Sequence, residues 1–185
     1  MTVLALILAA GLGKRMKSKI PKVLHPIAGR PMIDYAIRTA VAVTGTKPFV
    51  VVGHEADVVQ QALGDTVYYV RQPEQLGTGH AVLVAREALR QADTVLVLYG
   101  DTPFVKPETL ERLLAAHSAA RAKVSPLTVL SDNSMGFGRI IRDASGAITG
   151  IVEEAVATPE QLRIRELNCG VYCFDAAWLL SLIHI

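Results

Sequence analysis

The segment TVLALILAAGLGKRMKSK, Thr2–Lys19, joins an apolar run to a basic segment that contains two glycines. Val3–Leu8 has no polar residue, which predicts a strand buried on both faces of a parallel sheet. Gly11 and Gly13 would let the backbone approach an anion closely, and basic residues follow them. We therefore expect a buried strand followed by a phosphate-binding loop.

The spacing of this loop matches neither of two common nucleotide motifs. A dinucleotide fingerprint needs a third glycine where Met16 stands, and a P-loop needs Gly-Lys-Ser/Thr after a four-residue gap. The basic residues are Lys14, Arg15, Lys17, Lys19 and Lys22. We take Arg15 and Lys22 as the candidates for binding a polyphosphate. A solvated basic loop is the alternative at this stage.

Size and composition favour one sizeable globular domain, since the 185 residues are 51% hydrophobic and 19% charged. The net charge of +2 is too small to indicate a nucleic acid or a membrane surface as partner. The apolar N-terminal run is too short to span a bilayer and lacks the basic region of a signal peptide. We expect a cytoplasmic protein.

The two cysteines, Cys169 and Cys173, are four residues apart in a strand-like segment. That spacing separates them by about 13 Å, too far for a disulfide. It also differs from the common zinc-binding spacing, and no His/Cys set completes a metal site. We interpret both as core thiols in a reducing compartment.

Strand-like and helix-like segments alternate along the chain. The predicted strands are Val3–Leu8, Phe49–Val52, Val67–Val70, Thr94–Tyr99 and Val124–Leu130. The predicted helices are Met32–Val43, Ala56–Leu63, His80–Gln91 and Pro107–Ala120. This alternation predicts an open α/β sheet wound from βαβ units, in which ligands bind beyond the carboxyl ends of the strands. A hairpin around Asp143–Gly146 and a later strand would elaborate the sheet and cover one side of a site.

A second candidate segment, QPEQLGTGHA, follows one predicted strand and opens a helix near His80. Gln72 and Gln75 carry amides of the kind that read a base edge. Gly77 and Gly79 permit close backbone approach, and Thr78 could cap the helix or bind the ligand. An ordinary capped loop, with His80 as a helix residue and not a catalyst, is the alternative.

The third candidate is Asp101, which follows the apolar strand TVLVLY. A carboxylate at the carboxyl end of a strand is suited to a hard divalent cation that also keeps waters and a phosphate oxygen. A turn or N-cap aspartate is the alternative. Glu153 and Asn168, the latter beside Gly170, are weaker candidates for accepting sugar hydroxyls.

Six segments together resemble a known family. LAAGLGKRM with PKVLHPIAGRPM, EQLGTGHA, LYGDTPF, GFGRI, GIVEE and LNCGVY occur in the order seen in the N-acetylglucosamine-1-phosphate uridyltransferase domain of the bifunctional bacterial GlmU enzymes. The resemblance covers nearly the whole chain. It implies an α/β, Rossmann-like nucleotidyltransferase fold, with a mostly parallel mixed sheet flanked by helices.

The resemblance implies a Mg²⁺-dependent reaction in which UTP and N-acetyl-α-D-glucosamine 1-phosphate give UDP-N-acetylglucosamine and pyrophosphate, for peptidoglycan and lipopolysaccharide synthesis. It assigns the nucleotide to Leu8, Ala9, Ala10, Gly11, Gln72, Gly77 and Thr78. It assigns the phosphates to Arg15 and Lys22, and Mg²⁺ to Asp101, flanked by Tyr99 and Gly100. It assigns the amino-sugar to Gly138, Glu153 and Asn168. Transfer to another sugar 1-phosphate, and nucleotide binding by a truncated fragment without turnover, are the alternatives.

The sequence departs from the family pattern at Lys14, Phe137, Cys169 and the pair Ala155-Val156, where the family commonly has Lys-Asp. The family's second metal ligand and its acetyltransferase domain would lie beyond residue 185. The tail LSLIHI, 180–185, back-translates to CTGTCTCTTATACACATC, a sequencing-library transposon adaptor. We expect a C-terminally truncated uridyltransferase domain at residues 1–179 and a non-native tail at 180–185. The family's full-length trimer would then be replaced by a monomer.

Overall fold

The computed structural model describes residues 1–11, 13, 16–18 and 20–182. They form two compact units. The first unit comprises Met1–Ser125 together with the segment that begins at Tyr172, and the second is Pro126–Val171. In the described residues, no helix is long and apolar enough to cross a membrane.

The sheet of the first unit is built on four parallel strands. In spatial order they are β5 Tyr68–Arg71, β4 Phe49–Val52, β1 Val3–Leu8 and β6 Thr94–Tyr99. A later strand, β10 Glu166–Asp175, pairs antiparallel with β6 through its last residues, Tyr172–Asp175. The central strands are buried on both faces, as their unbroken apolar runs predict. The mostly parallel mixed sheet confirms the predicted fold class.

The helices of the first unit are α1 Met32–Thr44, α2 Ala56–Leu63, α3 Thr78–Val84, α4 Pro107–Ala120 and α5 Ala176–Leu182. Helix α1 ends at Gly45, whose φ of 69° is the left-handed conformation that glycine adopts without strain. Helix α4 begins at Pro107, where the missing N–H of proline costs no hydrogen bond. A short hairpin, β2 Pro26–Ile27 with β3 Arg30–Pro31, precedes α1.

The prediction of a helix over His80–Gln91 is wrong at both ends. The helix begins at Thr78 and ends at Val84, after which the chain continues in turns as far as Gln91. Several backbone N–H groups in these turns reach the carbonyl three residues back, for example from Arg86 to Leu83 at 3.1 Å. This stretch contains no glycine or proline, so the sequence carried no stop signal.

The second unit contains an antiparallel hairpin of β8 Arg139–Arg142 and β9 Ile148–Val152. Its turn is the one predicted around Asp143–Gly146, where the Asp143 carboxylate accepts the backbone N–H groups of Ser145 and Ala147. Strand β7, Val124–Leu130, lies mostly in this unit, and so does the beginning of β10, Glu166–Asp175. Leu167 of β10 pairs with Arg139 of β8.

Neither cysteine forms a disulfide, as the sequence predicts. Cys173 is buried, and burial raises the pKa of its thiol to about 12. Cys169 is half-buried, and burial raises its pKa as well. Both therefore stay protonated at neutral pH, as expected of packing thiols.

Helix α5 extends through Leu180–Leu182, the first residues of the predicted non-native tail. Leu180 packs, partly buried, against the apolar core of the first unit. The rest of that tail, 183–185, lies outside the described residues.

Candidate active site

A cavity of about 710 Å³ lies at the carboxyl edge of the first unit's sheet. Here Leu8, at the end of β1, pairs in register with Tyr99 of β6 and Val51 of β4. The volume falls within the range of roughly 300–1,000 Å³ typical of small-molecule sites. Ten residues assigned by resemblance line it: Leu8, Ala9, Ala10, Gly11, Lys22, Gln72, Gly77, Thr78, Tyr99 and Asp101.

The loop after β1 begins as an extension of the sheet. The Ala9 N–H donates to the Val51 carbonyl at 2.9 Å, and both Ala9 and Ala10 are buried. At Gly11 the chain becomes exposed, and a Cβ there would meet nothing within 4 Å. Arg15, predicted to bind phosphate, lies outside the described residues.

Position 13 requires a glycine because Lys22 packs directly against it. Its φ is +57°, and a Cβ placed on it would lie 2.9 Å from Cβ of Lys22. The sequence suggested that this glycine admits an anion. In the structure the glycine has a packing role, because it lets the backbone around Lys22 pack directly against the loop.

Asp101 stands in a tight turn after β6. The Gly100 N–H donates to the Leu8 carbonyl at 3.0 Å, and the Thr102 N–H donates to the Tyr99 carbonyl at 3.2 Å. A Cβ on Gly100 would lie 3.1 Å from Val23 and 3.2 Å from Ile33, so this position favours glycine for packing. The turn holds the Asp101 carboxylate at the cavity wall.

The Lys22 ammonium donates a hydrogen bond to Oδ2 of Asp101 and forms an ion pair with it. Lys22 belongs to the short 3₁₀ turn Lys22–Leu24, and its side chain and that of Asp101 are each about one-third exposed. Two side chains predicted separately, one for phosphate and one for metal, are thus in direct contact.

The Gln72 side chain is buried at the cavity, with only 3% of its surface exposed. Its Nε2 donates to the Gly77 carbonyl at 3.1 Å and lies 3.0 Å from Nδ1 of His80. Gly77 has a φ of 103°, a conformation that glycine tolerates, and α3 begins directly after it. The alternative that Thr78 caps α3 is wrong, because Gly77 occupies the N-cap position and no side chain caps the helix.

The second unit brings together the three residues predicted to bind the amino-sugar. The Asn168 N–H donates to the Gly138 carbonyl at 2.9 Å. A Cβ on Gly138 would lie 3.3 Å from Oε1 of Glu153, so the carboxylate lies close to the glycine backbone. The Asn168 Oδ1 accepts the Gly170 N–H at 3.1 Å, which fixes the amide.

Beside them, the buried Arg139 guanidinium binds Glu154 at 3.0 Å and also the Phe137 carbonyl. Hydrogen bonds from Ser134 and Arg139 hold the pKa of Glu154 below its usual value. The next two residues, Ala155 and Val156, are exposed in the 3₁₀ turn Glu154–Val156. Glu154 thus ties this turn to the segment before β8.

The family model of the MobA-like NTP transferase domain matches residues 5–135, well over half of the chain. This chain belongs to that family. The matched segment includes the whole loop after β1, the Gln72 loop and Asp101, so the NTP transferase domain contains the cavity described above.

Curated relatives of this NTP transferase domain are named bifunctional protein GlmU. The chain is 48% identical over 178 residues to the protein from Heliobacterium modesticaldum, covering 96% of this chain and 39% of that protein. It is 50% identical over 180 residues to the one from Syntrophotalea carbinolica, covering 96% and 38%. The resemblance to the GlmU proteins is therefore confirmed. The chain spans about two-fifths of the length of these relatives.

Solved structures share the fold at low identity. A UDP-glucose pyrophosphorylase complexed with UDP-glucose superposes with a TM-score of 0.78 at 22% identity, covering 98% of this chain and 80% of that one. A CMP:2-keto-3-deoxy-manno-octonic acid synthetase complexed with CTP gives 0.74 at 20%, covering 98% and 77%. Both support the Rossmann-like nucleotidyltransferase fold.

Among the described residues that line the cavity, Asp101 is the one that offers a carboxylate to a divalent cation. Within the described residues, no group of three or more His, Cys, Asp or Glu side chains could hold a metal. Mg²⁺ commonly binds one or two carboxylates and completes its shell with waters and substrate phosphates. The site fits a divalent cation whose other ligands are waters and the phosphate oxygens of a bound polyphosphate. It does not fit a cation bound entirely by protein ligands.

Sequence reasoning missed two contacts of the site. Gly53 directly follows β4, and a Cβ there would lie 2.9 Å from Cβ of Ala10 and 2.8 Å from Nε2 of Gln75. A glycine at the carboxyl end of a buried strand was the available signal. For His80 the sequence leaves a helix residue and a catalyst as the two interpretations, and its contact with Gln72 has no counterpart in the sequence pattern.

Proposed function

We propose that the domain transfers a uridylyl group from UTP to N-acetyl-α-D-glucosamine 1-phosphate and releases pyrophosphate. One observation carries the proposal: a single cavity is lined by the buried Gln72 amide and by the Lys22–Asp101 ion pair. An amide can read a base edge, and a cation beside a carboxylate suits a metal-bound polyphosphate. The 45–50% identity to GlmU relatives supports the choice of substrates.

In the proposed reaction an oxygen of the sugar phosphate forms a bond to the α-phosphorus of UTP. The bond from that phosphorus to the bridging oxygen breaks, and pyrophosphate leaves with the electron pair. The attacking oxygen is already anionic, so no general base is needed. The obstacle is repulsion between two anions, which positioned charges and alignment in the site overcome.

Among the described residues that line the cavity, Lys22 is suited to neutralising the charge of the phosphates. Its ammonium lies at the cavity and can exchange the Asp101 carboxylate for phosphate oxygens as they arrive. A divalent cation, which we propose to be Mg²⁺, would be held by Asp101 and would neutralise phosphate charge when bound. By resemblance, Arg15 would add a second positive charge.

We assign the amino-sugar to Gly138, Glu153 and Asn168, whose backbone and side chains are close together in the second unit. The Glu153 carboxylate would accept hydrogen bonds from sugar hydroxyls, and the Asn168 amide offers a further polar contact.

The product would serve peptidoglycan and lipopolysaccharide synthesis in the cytoplasm. By resemblance, the parent protein would carry the acetyltransferase half and form trimers.

A substrate panel tests the proposal. Pyrophosphate release is measured with UTP, CTP and TTP against the 1-phosphates of N-acetylglucosamine, glucosamine and glucose, with Mg²⁺ present. We expect the highest kcat/KM for UTP with N-acetylglucosamine 1-phosphate. A higher value for another pair would replace the proposed substrates. Binding of UDP-N-acetylglucosamine without any pyrophosphate release would instead identify a nucleotide-binding fragment without turnover.

A further inference from the structure

The Gln72 amide is held in one orientation by its neighbours. The Gly77 carbonyl can only accept a hydrogen bond, so the amide atom 3.1 Å from it must be the nitrogen, Nε2. The second Nε2 hydrogen points to Nδ1 of His80 at 3.0 Å. Both donors of the amide are therefore in use.

The amide oxygen of Gln72 is the atom left for a ligand. The two side-chain hydrogen bonds of Gln72 to Gly77 and His80 both use Nε2, and Gln72 lines the large cavity. An amide whose nitrogen is already hydrogen-bonded has its oxygen to offer, which favours a ligand that supplies an N–H group. Gln72 thus offers the cavity an acceptor and not a donor.

His80 supports this orientation only in one protonation state. Nδ1 can accept the Nε2 hydrogen of Gln72 only in the tautomer that carries the ring proton on Nε2, so the contact requires that tautomer. His80 follows Gly77 by three residues and lies in the first turn of α3. The loop and the helix together supply both acceptors that hold the Gln72 amide nitrogen.

We propose that His80 is a positioning residue that sets base selectivity through Gln72. With Oε1 facing the ligand, the amide accepts from N3–H of uracil and opposes the N3 lone pair of cytosine. Without the His80 acceptor, one of the two hydrogen bonds that fix the amide is lost, so the preference for presenting Oε1 to the ligand is weaker. This inference rests on the proposed binding of a uridine nucleotide.

The test compares UTP with CTP binding by titration calorimetry, without sugar phosphate, so that no turnover is required. The variants are His80→Leu, which keeps the bulk and removes the acceptor, and His80→Asn, whose side-chain oxygen can replace Nδ1. We expect wild type to prefer UTP and His80→Leu to lose that preference by about tenfold, the value of one hydrogen bond. In His80→Asn most of the preference should return.

The outcomes separate the two proposals. A wild-type protein that binds UTP and CTP equally overturns both the uridine site and the role of His80. A wild-type preference that His80→Leu retains in full overturns the role of His80 alone. Nitrogen NMR of the wild-type imidazole decides the case if His80→Leu does not fold: a proton on Nε2 supports the inference, and a proton on Nδ1 contradicts it.

Discussion

The Lys22 ammonium is bound to the Asp101 carboxylate, the one carboxylate that the described cavity wall offers to a divalent cation. The ammonium and a metal ion would therefore compete for the same oxygens. Both side chains are partly exposed, so the pair is worth little on its own and can be exchanged. A triphosphate that carries its own cation would satisfy both partners at once.

Replacing Lys22 by methionine should tighten Mn²⁺ binding to the nucleotide-free protein by a few-fold, because Asp101 loses its internal competitor. Electron paramagnetic resonance of free Mn²⁺ measures the change. Lys106→Met is the matched control, since Lys106 is exposed and does not line the cavity. Equal Mn²⁺ affinity in Lys22→Met and wild type would show that the ion pair does not oppose the metal.

Gly13→Ala should reduce turnover by about tenfold or more, because its new Cβ would lie 2.9 Å from Cβ of Lys22 and displace that side chain. Gly45→Ala separates this contact from backbone strain, since Gly45 has a φ of +69° but open space around its Cβ position. Both variants should lose about 1 kcal/mol of stability from the positive φ. A similar loss of turnover in both variants would contradict the Lys22 contact.

Gly53→Ala should weaken UTP binding by about tenfold, because its Cβ would meet the Ala10 side chain at 2.9 Å and the Ala10 carbonyl at 3.1 Å. Ala10 lines the cavity, so the shift would reach the ligand. Gly150→Ala is the control, since a Cβ there meets nothing within 4 Å. Calorimetric titration with UTP measures the effect, and unchanged affinity in Gly53→Ala would refute this account of the glycine.

His117 should make stability depend on pH. It is buried in α4 and bonds the Ser125 hydroxyl at 2.9 Å, and burial lowers its pKa below the usual 6.5, with Asp175 opposing the shift. The folded state thus resists protonation. Below about pH 6.5 the unfolded state takes up a proton that the folded state does not, so the free energy of unfolding falls as pH falls.

Urea unfolding between about pH 7.5 and about pH 5.5 measures this dependence. In His117→Gln the decrease over that interval should be smaller than in wild type, because the titrating group is gone. The exposed His54 provides the matched control, His54→Gln, which should retain the wild-type slope. An identical slope in His117→Gln and wild type would exclude His117 as the cause.

The fold was predictable because its signals are local. Apolar runs marked β1, β4 and β6, and Gly45 and Pro107 marked the ends of helices. The exception is the region after Val84, where α3 ends and turns begin. No glycine or proline in residues 85–91 indicates this change. Leu89 is buried in those turns, as it would be in a longer helix, so the apolar pattern does not distinguish the two structures.

The candidate site was predictable only in part. The carboxyl ends of neighbouring strands had to meet, which placed the loop after β1 and Asp101 at one edge. The pairing of Lys22 with Asp101 spans 79 residues and depends on tertiary packing. Two further contacts could not be predicted for the same reason: that of Gly13 with Lys22 and that of Gln72 with His80. Spacing along a chain does not determine which side chains become neighbours.

We propose above all that the Lys22–Asp101 pair serves nucleotidyl transfer. Pyrophosphate release from UTP and N-acetylglucosamine 1-phosphate, measured for wild type, Lys22→Ala and Asp101→Asn with thermal unfolding as the folding control, tests it most directly. We predict turnover in wild type and a loss of about 100-fold or more in each variant, with folding retained. Near-normal turnover in either folded variant would contradict the claim.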